Sequence, residues 1–73
     1  MFVLMEIKMG TYRHFKGGVY KVVAIALHSE TLEEMVVYQN AENGKCWVRP
    51  ASMWNETVEY EGETVSRFTY VGE

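Results

Sequence analysis

The sequence holds one cysteine, one proline and no apolar run long enough to span a membrane, and each shortage closes a class of protein. A single Cys46 cannot make an internal disulfide, which excludes the stapled secreted scaffolds and fits a reducing compartment. With one proline and six glycines in 73 residues, nothing is collagen-like or of low complexity. The net charge of −3 removes the bulk attraction by which basic proteins coat nucleic acid, leaving only a local patch for that purpose. The apolar opening, residues 1–7, contains Glu6 and lacks both the basic start and the small-residue cleavage site of a signal peptide. A cytoplasmic protein without membrane association is expected.

What is present is the material of one small folded domain. Hydrophobic residues make up 48% of the chain and aromatics 14%, and large rings offset small size because each removes much area from water. Charge is unevenly spread: residues 1–28 carry four basic groups against one acidic, whereas residues 29–73 carry three against nine. Such asymmetry marks an anion-attracting surface unless the fold interleaves the halves.

The punctuation is of the β kind. Gly17-Gly18, Asn43-Gly44 and Glu61-Gly62 separate runs rich in Val, Tyr, Phe and Thr. Residues 12–15 and 19–28 flank a hairpin turn at Lys16-Gly17-Gly18, 35–40 and 45–48 flank a second, and 57–60 and 64–70 meet around the third. The polar stretch from His28 to Glu34 reads as a loop, with Ser29 or Thr31 placed to cap a helical turn. Pro50-Ala51-Ser52-Met53-Trp54 reads as a short 3₁₀ turn whose Met53 and Trp54 plug one end of a barrel. So many short strands in so short a chain predict an all-β, SH3-like barrel or roll of about five to six antiparallel strands, because closure removes exposed edges. It occupies residues 10–73. Residues 1–9 form an N-terminal extension, either an added strand or a short helix, and Met9 offers an alternative start.

Several chemical readings are weak. Alternation puts Cys46 on the face of Val48, where a buried lone thiol acts as a small hydrophobe. His14, His28 and Glu30 lack zinc-site spacing, Lys16-Gly17-Gly18 lacks the pattern of a phosphate loop, and no cofactor or metal is expected. More informative are the polar and amphipathic groups expected at strand ends and loops: Arg13, His14, Lys16, His28, Ser29, Glu30, Thr31, Arg49 and Arg67, with Tyr38 and Trp47. Strand alternation puts His28 on the face of Tyr20, Val22, Ala24 and Ala26, and Trp47 with Arg49. Guanidinium groups beside rings and hydroxyls suit a phosphate, a carboxylate or a stacked base. Alternatively, Arg49 and Arg67 pair with Glu30, Glu33 or Glu56 to hold loops together.

With these residues in view, the chain resembles a bacterial family known as domain of unknown function 1653. The resemblance runs through residues 10–17, Tyr20, His28-Ser29-Glu30-Thr31, Val36-Val37-Tyr38, Trp47-Val48-Arg49-Pro50, Met53 and Arg67-Phe68. It implies an SH3-type barrel in a stand-alone cytoplasmic protein and implies no activity. Ser66 stands where the family tends to have proline, Trp54 where phenylalanine is usual, and Cys46 where an apolar residue is general.

The leading functional expectation is a binding module without chemistry, for a nucleotide, a nucleic-acid segment or a phosphorylated metabolite. Arg13 and Arg49 clamp the anion, Ser29 and Thr31 donate hydrogen bonds, and Trp47 or Tyr38 stacks. The ligand-binding set is Arg13, His14, His28, Ser29, Glu30, Thr31, Tyr38, Trp47, Arg49 and Arg67. The alternative is a protein-interaction module with an aromatic groove of Tyr12, Tyr38, Trp47 and Trp54, or a homodimer joined through an edge strand or residues 1–7. An enzyme with His28 as base and Glu30 orienting it is the third class.

Overall fold

The computed structural model describes residues 7–73. The expectation of an added strand or helix lies, for residues 1–6, outside the described residues. Ile7 packs against the core, and the first strand begins only at Gly10.

Seven antiparallel strands and one 3₁₀ turn follow: β1 (Gly10–His14), β2 (Val19–Leu27), β3 (Glu34–Asn40), β4 (Cys46–Pro50), the 3₁₀ turn (Ala51–Met53), β5 (Thr57–Tyr60), β6 (Glu63–Ser66) and β7 (Phe68–Gly72). The fold is all-β, as the turn residues predict, but the last expected strand is divided in two. The division falls at Arg67, whose N–H donates to the Glu56 carbonyl (3.0 Å) while its carbonyl accepts from the Phe15 N–H (2.9 Å). The chain thereby leaves β5 for β1, and one apolar run serves two sheets. The order β4-β3-β2-β1-β7 makes a five-stranded sheet, with β5-β6 as a separate hairpin. In that hairpin Glu61 (φ 52°) and Gly62 (φ 81°) both take positive φ, the paired left-handed conformation of a two-residue turn matched to strand twist.

The barrel is not closed: β4 and β7 are the two edges of the sheet and do not pair. Side chains bridge where backbone does not. Trp54, after the 3₁₀ turn, is buried among Tyr12, Tyr38 and Phe68, and the Arg49 guanidinium of β4 lies 5.9 Å from the ring centre of Phe68 on β7. The core is Tyr12, Val22, Val36, Tyr38, Ala51, Trp54 and Phe68. Met53, expected to share the plug, is partly exposed instead.

A bulge corrects the expected face of β2. Pairing runs Val22 to Tyr38 but then Ala24 to Val37, so Val23 is an extra residue and the alternation changes phase. Tyr20 and Val22 stay on the inner face with Tyr38, whereas Ala24 and Ala26 move to the outer face opposite Val37 and Met35. His28, two residues beyond Ala26, no longer shares the face of Tyr20.

Gly10 sits at φ +126°, and a Cβ there would lie 2.9 Å from the Gly72 carbonyl oxygen and 3.2 Å from the Tyr70 ring. Backbone against backbone cannot yield as a long side chain would. Gly10→Ala should therefore cost about 1–3 kcal/mol, the usual strain of a residue held in a sparsely populated conformation. A urea midpoint equal to wild type would refute this.

Candidate functional site

Hairpin connectivity sorts the candidate residues. In antiparallel strands, successive turns alternate between the two ends of the sheet. The β1–β2 and β3–β4 turns therefore lie at one end and the β2–β3 loop at the other. Tyr20 and Leu27 stand at opposite ends of β2, on the order of 20 Å apart at ~3.3 Å per residue.

At the β2–β3 end, residues 28–31 build a loop. The Nδ1 of His28 accepts the backbone N–H groups of Glu30 (3.1 Å) and Thr31 (3.3 Å), and Thr31 Oγ1 accepts that of Glu33 (3.2 Å). The His28 backbone closes the turn, its N–H donating to the Glu33 carbonyl and its carbonyl accepting from Leu32 at φ 63°. These contacts spend the Nδ1 lone pair and the threonine hydroxyl on local backbone, as short polar turns do. Ser29, Glu30 and Thr31 are exposed, and none of them lines the basin on the inner face.

On the inner face, all five strands of the large sheet contribute to one shallow basin of about 210 Å³, lined by His14, Tyr20, Tyr38, Trp47, Arg49 and Phe68. Direct cross-strand pairing explains the grouping: Tyr38 faces Trp47, Val36 faces Arg49, and His14 faces Phe68. Four of these lining residues, His14, Tyr38, Trp47 and Arg49, belong to the set expected from sequence; Tyr20 and Phe68 do not. Knowing which hairpin turns share an end would have found both.

The rings brace one another. Edge contacts join His14 to Phe68 (5.1 Å), Tyr20 to Tyr38 (5.5 Å) and Tyr38 to Phe68 (5.5 Å), geometries each worth about 0.5–1.5 kcal/mol beyond area. His14 also begins the β1–β2 turn, its Nδ1 accepting the Lys16 N–H at 3.1 Å. In the neutral ring that contact leaves Nε2 to carry the proton as a donor.

Positive charge gathers here although the chain is acidic. Burial lowers the His14 pKa from its ordinary value, and the charges of Arg67, Lys16 and Arg49 lower it further. The Nε atoms of Arg49 and Arg67 are buried without a hydrogen-bond partner in the protein. Arg67 Nη2 is 3.9 Å from Glu56 Oε1, a pair in partly exposed surroundings, and among the described residues no carboxylate is paired with Arg49. Arg67 does not line the basin; it acts on it through charge.

Other expectations fall elsewhere. Arg13 is exposed and lies on the outer face, its neighbours across the sheet being Val19 and Thr69. Cys46 is exposed rather than buried, because its face, opposite Gln39, is the outer one. The aromatic peptide groove does not form, since Tyr12, Tyr38 and Trp54 are core residues and only Trp47 of that set is exposed. Another depression, about 510 Å³, is lined by Met9, Gly10, Lys21, Val22, Val23 and Glu73 and carries one lysine and one glutamate, without a cluster of like charge. Among the described residues, no helix is long and apolar enough to cross a membrane.

The family model described as "Protein of unknown function (DUF1653)" matches residues 10–70. The chain is also similar to a solved structure, the crystal structure of a DUF1653 protein from Bordetella bronchiseptica, with 38% identity and a TM-score of 0.82 over 92% of this chain and 90% of that one. No match is found among curated proteins.

Proposed function

Since the chain belongs to the DUF1653 family, whose description assigns no activity, we propose a function from the basin itself: a binding module for a small phosphate- or carboxylate-bearing ligand, held by Arg49 and His14 in the field of Arg67 and Lys16. The observation that carries this reading is the Arg49 Nε, buried at an aromatic wall with no acceptor. Buried donors are nearly always satisfied, and an unmet one costs about 1–3 kcal/mol, more when charged. A ring face at 5.9 Å compensates the charge in part but accepts no conventional hydrogen bond. An anionic oxygen supplies both needs, and the His14 Nε2–H adds a second donor. No step of bond making is required by this reading.

The reading carries a pH signature. Anion binding cancels the cations that depress His14, so the ring gains proton affinity in the complex. Affinity should then rise as pH falls through the interval between the lowered free value and the higher bound one. Without ligand the sign reverses: the unfolded chain, at the ordinary value near 6.5, takes up a proton first, so this residue withdraws stability as pH drops below about 6.5. NMR titration of the His14 ring with inorganic phosphate, against chloride at equal ionic strength, tests the site. Saturable binding near the millimolar range and an upward shift of the His14 pKa are expected. A response identical to that of chloride would end the proposal.

A further inference from the structure

The two tryptophans differ in a way that bears on the rest of the ligand. Trp54 is locked between rings, stacked flat on Phe68 at 4.2 Å and edge-on to Tyr12 and Tyr38. Trp47 lines the basin, is 50% exposed, and among the described residues makes no ring–ring contact. The other rings of the basin spend their edges and faces on one another; Trp47 leaves half its surface to solvent, two residues along β4 from Arg49. An indole left in water beside a guanidinium without an acceptor is a cost with two parts, and a ligand bearing both a planar ring and an anion relieves both.

We infer that the ligand is a nucleoside monophosphate, its phosphate on Arg49 and His14 and its base stacked on Trp47; this rests on the anion reading above. Every nucleobase has a π-face, so such stacking tolerates any of them, and selectivity among bases is not built into a wall that offers mainly ring surface. A longer nucleic acid fits the surroundings less well. His14 is adjacent to Phe15, which meets Tyr60 of the β5–β6 hairpin at 5.2 Å, and that hairpin carries Glu59, Glu61 and Glu63 and no basic residue. Successive phosphates of a strand running that way would approach a hairpin of purely acidic charge, whereas one phosphate stops at the cationic group. The net charge of −3 adds no long-range attraction for a polyanion.

The test compares AMP and UMP with ribose 5-phosphate, adenosine and a short single-stranded oligonucleotide, by calorimetry and by the His14 ring signal. AMP and UMP should bind roughly tenfold tighter than ribose 5-phosphate, the share that stacking supplies, and adenosine should leave the His14 pKa unmoved. Trp47→Leu should bring AMP down to about the affinity of ribose 5-phosphate while the phosphate response of His14 persists; Trp47→Tyr, which keeps a ring, should restore most of the difference. Ribose 5-phosphate binding as tightly as AMP would overturn the ring and leave the anion site standing. Absence of binding by every phosphate would overturn both. An oligonucleotide binding roughly tenfold tighter than AMP would overturn the mononucleotide in favour of a strand.

Discussion

Trp54→Ala should remove roughly a quarter or more of the protein's stability. The side chain is 1% exposed and touches rings from β1, β3 and β7, so it ties β3 to two strands with which β3 shares no backbone pairing. Truncating a buried tryptophan costs about 3–5 kcal/mol. A 73-residue domain, at ~0.05–0.15 kcal/mol per residue, has about 4–11 kcal/mol in all. The surrounding rings cannot collapse into the gap without giving up their own edge contacts, which puts the cost toward the upper end. A circular dichroism melt should show a midpoint at least ~12 °C lower, taking about 4–8 °C per kcal/mol. A fall of less than about 5 °C would mean that the strands close without the plug. Trp47→Ala, at a half-exposed position, is the internal control and should change the melt little.

The place of that plug is visible in the sequence, since proline at the start of a short turn followed by apolar residues predicts a 3₁₀ segment at the end of a barrel. The glycine-marked turns are equally legible, because only a few residue types tolerate the backbone that tight hairpins need. Two features are not. The bulge at Val23 leaves no mark, as Lys21-Val22-Val23-Ala24 alternates no better and no worse than an ordinary strand, yet it reverses the face of the rest of β2. The break at Arg67 is also silent, because it is made by hydrogen bonds to Glu56 and Phe15, far away in sequence.

Those two features explain how the candidate site resolves. Read as a flat list, Arg13, His28 to Thr31, Arg49 and Arg67 are all polar groups at strand ends. Folded, they divide by end and by face: Arg13 outward, residues 28–31 at the far loop, Arg49 inward with Trp47, and Arg67 at the break beside His14. The charge asymmetry along the chain does not survive folding, because the cations around His14 come from both halves. Lys16 comes from the basic first part, Arg49 and Arg67 from the acidic remainder, and the three converge in their effect on His14. The two histidines begin turns in the same manner, each Nδ1 accepting a backbone N–H two residues on. Only His14 does so against the basin wall, so identical local chemistry has different uses at the two ends of the sheet.

Arg49→Leu should separate binding from stability more sharply than any other change. The Arg49 Nε is buried without an acceptor, its guanidinium adds to the positive charge around His14, and the charge–ring contact with Phe68 is its remaining compensation. A leucine keeps apolar contact beside Val36 and Phe68, removes the unmet donor and relieves repulsion among like charges. The melting temperature should therefore stay within about 5 °C of wild type or rise. Phosphate affinity should fall roughly tenfold to a hundredfold, the equivalent of the ~1.5–3 kcal/mol that a hydrogen bond to a charged group contributes. The His14 pKa should move up in the free protein, because one of the charges holding it down is gone, and should respond less to added phosphate. A residue kept only to hold the fold would behave the opposite way, with a lower melt and an unchanged phosphate response. Stability sacrificed at one buried guanidinium is what a site for an anion requires, and the variant measures that sacrifice directly.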